Sequence, residues 1–206
     1  MEAVKSLLTE KPAVKGLLQR MNETQIRWAI FAGSEVAFLT ANRTPTDLDI
    51  IVHNDDFEKL AVLLPEAKRG SNKAFLVVAS DGERLEDIAS TLTLTLDSVD
   101  IDIMSHSRFK TSEGIFPTYL TDVACQRRLI FEIAATTVYL AHPFDTILIK
   151  AFMRRGQEQG KFDAADAQAL TAAVKIEPAY VRARIAETGL NSGARAFLQK
   201  LALITK

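Results

Sequence analysis

FAGSEVAFLTANRTPTDLDIIV, residues Phe31–Val52, is the stretch whose reading decides the fold. The apolar run Trp28-Ala29-Ile30-Phe31 in front of it reads as a short buried strand that ends at Gly33-Ser34. A helical segment from Glu35 to Ala41 follows, then a turn at Arg43-Thr44-Pro45, then a second strand, Asp47-Leu48-Asp49-Ile50-Ile51-Val52. Side chains at i and i+2 of a strand share a face. Asp47 and Asp49 therefore stand side by side, with Leu48, Ile50 and Val52 on the opposite face. Two carboxylates so placed repel each other, and a hard cation between them relieves the repulsion. A solvated strand end is the plainer reading of the pair.

Outward from this stretch, Ser98-Val99-Asp100-Ile101-Asp102-Ile103-Met104 repeats the alternation, with Asp100 and Asp102 on one face. Gly33 allows a backbone to come close to a phosphate, and the helix start after it offers free N–H groups to an anion. The Ser34 hydroxyl adds a donor, although a plain helix N-cap at Ser34 would look the same. Arg43, in the turn before the aspartate strand, has the reach to touch a phosphate or stays solvated.

Gly33-Ser34, twelve further residues, then Asp47-Leu48-Asp49 resembles the signature of the DNA polymerase β superfamily of nucleotidyltransferases. The resemblance covers Trp28 to about Met104 well and the rest loosely. It implies an α/β (α+β) protein: a mixed sheet core flanked by helices, followed by a helical C-terminal unit. It implies a third carboxylate on a later strand. Asp102-Ile103-Met104-Ser105 matches the family's strand ending, with a small polar residue leaving the sheet, so Asp102 is expected as metal ligand and acceptor-side base and Asp100 as its neighbour at the metals. A looser resemblance, to small nucleotidyltransferases of toxin–antitoxin and antibiotic-modifying systems, rests on the order Lys150, Arg154, Lys161, Asp163, Asp166. It implies a nucleotide contact for Lys150. Asp163 and Asp166 share a helix face and either touch function or fix the helices.

The implied reaction moves a nucleoside monophosphate from an NTP such as ATP to a hydroxyl acceptor, which can be a small molecule, a protein or RNA. Two Mg²⁺ ions, or Mn²⁺, about 3.5–4 Å apart would hold the attacking and leaving oxygens. Asp47, Asp49, Asp100 and Asp102 are the expected ligands. A catalytically silent nucleotide- or partner-binding protein on the same fold is the competing reading, and a metal-dependent phosphohydrolase a third, disfavoured by the lack of a histidine-rich motif.

The rest of the chain bounds these readings. Of its 206 residues, 48% are hydrophobic and 25% charged, enough for a real core, and the net charge of −1 gives no global footprint for nucleic acid. One cysteine, Cys125, excludes an internal disulfide and reads as packing. No signal peptide and no apolar run of about 20 residues is visible, so a cytoplasmic protein without membrane contact is expected, acting alone, as a homo-oligomer or with a partner protein.

Amphipathic helices are predicted over Ala3–Thr9 and Ala13–Met21, the latter with an apolar stripe of Val14, Leu17, Leu18 and Met21. A helix over Asp55–Leu64, a turn-rich loop Lys68–Asn72, strands Ala74–Ala79 and Thr91–Leu96, and a helix within Gly114–Arg128 follow. His53 and the pair Arg127-Arg128 read as solvated. Leu129–Ile133 and Thr137–Leu140 suggest a hairpin, and from His142-Pro143 the pattern is helical. The expected division is a catalytic unit at 1–141 and a helical unit at 142–206.

Overall fold

The computed structural model describes residues 2–40 and 47–205. Two helices open the chain, α1 (Glu2–Glu10) and α2 (Pro12–Glu23). Pro12 takes the first helical position, where its missing N–H costs nothing. The stripe Val14, Leu17, Leu18 and Met21 is fully buried, as its spacing predicts. Next come β1 (Trp28–Ile30), α3 (Ala32–Thr40), β2 (Asp47–Val52) and α4 (Phe57–Leu63), the last stopped just before Pro65. Three long strands follow, β3 (Lys68–Val78), β4 (Arg84–Leu96) and β5 (Val99–Thr111), then β6 (Gly114–Pro117), α5 (Asp122–Gln126) and the hairpin β7 (Leu129–Ile133) and β8 (Thr136–Leu140). The chain ends in α6 (Pro143–Met153), α7 (Asp163–Ala173), α8 (Pro178–Thr188) and α9 (Ser192–Lys200).

Among the described residues the strands form one mixed eight-stranded sheet in the order β3-β4-β5-β2-β1-β8-β7, with β6 added to β5. The pairs β2–β5 and β1–β8 are parallel and the others antiparallel. One core lies where Leu48, Ile50 and Val52 of β2 meet the apolar stripe of α2 and Phe57 and Leu60 of α4. The second core lies on the opposite face, where Ile51 and Phe109 meet α6 to α9. Every residue of α6 is buried, the mark of a helix enclosed on all sides. Asp47 and Asp49, alternating with Leu48 and Ile50, point to this second face.

Several segments differ from the sequence reading. Lys68–Asn72 is strand, not loop: the register slips between Gly70 and Lys73, with Asn72 at φ 46°, so the turn-forming residues make a β-bulge. The strand read as Val99–Met104 runs on to Thr111, and Ser105 pairs with Ser90 instead of leaving the sheet. His106, at φ 55°, absorbs the irregularity as a second bulge. Between Gly114 and Arg128 only Asp122–Gln126 is helical, with Thr121 as N-cap accepting from the Ala124 N–H at 3.2 Å, while Gly114–Pro117 became a strand. His53 is buried, its Nδ1 accepting from the Asp55 N–H. Arg128 is not solvated: its guanidinium lies 4.2 Å from the centre of the Tyr139 ring and donates to the Trp28 carbonyl at 2.7 Å. Cys125 is half-buried, and burial pushes its thiol up to about 11, which keeps it protonated.

Candidate active site

The step from β1 into α3 is sharp. Ala32, at φ 53°, turns the chain through the left-handed region, and its N–H donates to Thr146 Oγ1 on α6 at 2.9 Å. The Thr146 hydroxyl donates in turn to Glu35, a fully buried carboxyl whose second oxygen has no partner. Burial drives Glu35 well above the usual carboxylate range, against the Thr146 hydrogen bond. Gly33 and Ser34 thus lie in the first turn of α3.

Ser34 does not cap its own helix. Its buried hydroxyl accepts the Asp49 N–H at 2.9 Å and directs its proton at the Asp47 carbonyl, 3.1 Å away, and at Asp49 Oδ2, 3.4 Å away. It staples α3 to the aspartate strand. Ser34→Ala strands a buried N–H and is expected to cost about 1–3 kcal/mol, read as a lower urea midpoint with unchanged slope. An unaltered midpoint with impaired nucleotide binding would show instead that the hydroxyl serves only a ligand.

The parallel register of β2 and β5 sets Asp47 beside Asp100 and Asp49 beside Asp102. Four carboxylates thus occupy one patch, on strands about 4.8 Å apart. Asp49 is raised to about 6, first by burial and then by the charges of Asp47 and Asp102, with Ser34 opposing. Asp102 is also raised, by partial burial and then by Asp47 and Asp100. Asp100 is exposed and accepts from Thr95 Oγ1 at 2.7 Å. Among the described residues no three acidic, imidazole or thiol side chains form a metal cage. The donor set still fits a hard divalent ion. The oxygens are carboxylate, among the described residues no cation offsets the repulsion felt by Asp49 and Asp102, and Mg²⁺ takes few protein ligands beside phosphate and water.

A cavity of about 410 Å³ opens on Gly33, Asp47 and Asp49 and runs between the sheet and the α6–α7 connection. Lys150, Arg155 and Lys161 supply cations along it. Lys150 is buried, and its Nζ donates to Asp163 at 3.2 Å and Asp166 at 2.7 Å. Arg155 grips Asp163 through its backbone N–H at 2.8 Å and its side chain at 3.1 Å. Burial alone would raise Asp163, but the Arg155 hydrogen bonds and the Lys150 charge hold it below the usual range. Arg154 turns away, its guanidinium binding Asp81 at 3.1 Å and Glu83. The expected Arg43 contact lies outside the described residues. Sequence reasoning passed over Asp87, Glu35, Thr146 and Arg155. None carries a periodic signal, and only the fold shows that Asp87 and Arg155 line the cavity.

No protein-family model and no curated protein matches the chain. Solved structures do resemble it. The antibiotic-resistance factor ANT(2'')-Ia, an adenylyltransferase, superposes with a TM-score of 0.51 at 10% identity, over 95% of this chain and 94% of its own. An antigenic nucleotidyltransferase-like protein from Paracoccidioides brasiliensis gives 0.49 at 16% identity, over 93% of this chain and 86% of its own. The lincosamide adenylyltransferase LnuA, lincomycin-bound, gives 0.42 at 11% identity, over 78% and 96%. In architecture, then, this chain shares the fold of ANT(2'')-Ia, a mixed sheet flanked by helices with a helical C-terminal part, as the Gly-Ser and Asp-x-Asp resemblance implies.

Proposed function

We propose that the protein is an Mg²⁺-dependent nucleotidyltransferase that transfers a nucleoside monophosphate from an NTP to a hydroxyl acceptor. The observation that carries this reading is the pairing of Asp49, which lines the cavity, with Asp102 across parallel strands, beside the first turn of α3 that holds Gly33 and Ser34. Asp47, Asp49 and Asp102 would hold divalent metal, with Asp100 beside them. When bound, the metal supplies charge stabilisation for the attacking and leaving oxygens. Asp102, more basic than a free aspartate, takes the acceptor's proton. The first turn of α3 and Lys161, which line the cavity, face the triphosphate, while Lys150 and Arg155 are held by Asp163 and shape the wall. Residues 1–141 form the catalytic unit in this reading, and the helices of 142–206 close the cavity over it. A role in antibiotic resistance or a toxin–antitoxin pair suits the small size and the resemblance to antibiotic-modifying proteins.

Thermal-shift measurements with NTPs, with and without Mg²⁺, test the reading. Metal-dependent stabilisation by a triphosphate supports it, and α-labelled nucleotide transferred to lysate components then identifies the acceptor. Triphosphate binding without any transfer favours the silent binding protein. Within the reaction, Asp102→Asn is expected to lower kcat by about 10²–10⁴-fold while sparing triphosphate affinity, because a proton acceptor is lost. Asp100→Asn is expected to be much milder, since Asp100 is already bonded to Thr95 and stands beside Asp47 and not beside Asp49. The reversed order would move the third carboxylate to Asp100.

A further inference from the structure

The cavity extends well beyond the carboxylates. Asp49 sits beside Asp102 of β5, whereas Asp87 of β4 sits beside Phe109, seven residues further along β5 and past the bulge at His106. At about 3.3 Å per residue the two ends lie on the order of 20 Å apart, the reach of an extended nucleotide with its bound phosphates.

The far end has its own chemistry. Met153, next to the Phe152 that stacks on Phe109, and Phe162 give it apolar walls, and the Phe162 ring stands 45% exposed at the cavity. Within these walls Asp87 Oδ1 is buried without a hydrogen-bond partner. An unpaired buried carboxylate oxygen is costly, and natural structures keep such groups where something else satisfies them. Burial pushes the Asp87 carboxyl up to about 6, with the Arg155 charge opposing, so at neutral pH it is an acceptor with no proton to give.

An apolar slot carrying one carboxylate fits a flat heterocycle that presents adjacent N–H donors. We propose that this end of the cavity holds the base of the nucleoside triphosphate and that Asp87 selects guanine, accepting from its ring N1–H and its 2-amino group. The inference rests on the nucleotidyl-transfer reading, with the phosphates at the Asp49 end. Adenine turns a ring acceptor toward the carboxylate, cytosine does the same, and uracil offers one N–H between two carbonyls. Phe162 supplies a stacking face, which holds any base but prefers purines.

The test measures dissociation constants of GTP, ATP, CTP and UTP with Mg²⁺, and of inorganic tripolyphosphate, for the wild type, Asp87→Asn and Phe162→Ala. The wild type is expected to bind GTP about tenfold or more tighter than ATP. In Asp87→Asn the amide offers one donor and one acceptor, the complement of adenine, so the GTP:ATP ratio falls by about tenfold or inverts. Tripolyphosphate affinity stays the same. Phe162→Ala weakens all four nucleotides and not tripolyphosphate. Equal wild-type affinities, or an unchanged ratio in a folded Asp87→Asn, overturn the base subsite alone. If no triphosphate binds, the nucleotidyl-transfer reading falls and the subsite with it. Should Asp87→Asn fail to fold, the wild-type ranking and Phe162→Ala decide.

Discussion

Asp49→Asn is expected to abolish nucleotidyl transfer and, in the same protein, to raise the melting temperature of the metal-free form at pH 7.5. The two effects share one cause. Asp49 is raised from 3.8 to about 6 by burial and by the charges of Asp47 and Asp102. A carboxyl whose folded pKa is raised stabilises the fold below its unfolded pKa, and this contribution is lost as pH rises through the folded value. At pH 7.5 the folded protein therefore carries an ionised, repelled carboxylate, a penalty of about 1–3 kcal/mol. An amide removes it. The expected gain in a chain of this size is about 3–10 °C. It should vanish near pH 4, where the wild-type carboxyl is protonated in the fold, and shrink in Mg²⁺ plus nucleotide, which would supply the missing charge to the wild type alone. Calorimetry in EDTA at the two pH values checks the first arm and labelled-nucleotide transfer the second. A variant of unchanged stability at pH 7.5 would mean that the carboxylates do not feel one another, and full activity would remove Asp49 from the site.

Lys150→Ala is expected to be the most destabilising single change in the cavity wall. The looser family resemblance implies a nucleotide contact for Lys150, whereas in the fold its ammonium already sits between Asp163 and Asp166, all three buried. Removing one partner from such a network leaves buried charge uncompensated and costs about 3–5 kcal/mol. Arg155 still holds Asp163, which places the expectation at the lower end, a fall of about 6–12 °C in Tm. Lys150→Ala combined with Asp166→Asn should recover part of the loss, because the stranded charge goes with the cation. A Tm close to wild type with raised KM for the triphosphate would instead mean that the ammonium serves the ligand and the ion pairs are incidental.

The two bases of these predictions were unequally visible in the sequence. Asp47 and Asp49 declared themselves by a period of two, because one face of β2 had to be buried and the alternation of Leu48, Ile50 and Val52 fixed which. The stripe of α2, the helices after Pro143 and the hairpin at Leu129–Leu140 were legible for the same reason: local periodicity and local turn chemistry. Strand ends were not. Gly70, Asn72 and Ser105 carry the composition of turns, yet neighbouring strands on the sheet turned them into bulges or ladder positions, since pairing across a sheet outweighs the preference of a single residue. The site divides along the same line. Sequence alone determined the two carboxylates on β2 and the turn at Gly33-Ser34, features written in neighbouring residues. Only the tertiary structure decided that Asp102 stands level with Asp49, that Ser34 clamps the strand and not its own helix, that Lys150 is held by Asp163 and Asp166, and that Asp87 is left unpaired in the cavity. Each of these depends on which strands lie side by side or which helix covers them, and chain distances of 13 to more than 50 residues carry no periodic trace of that choice.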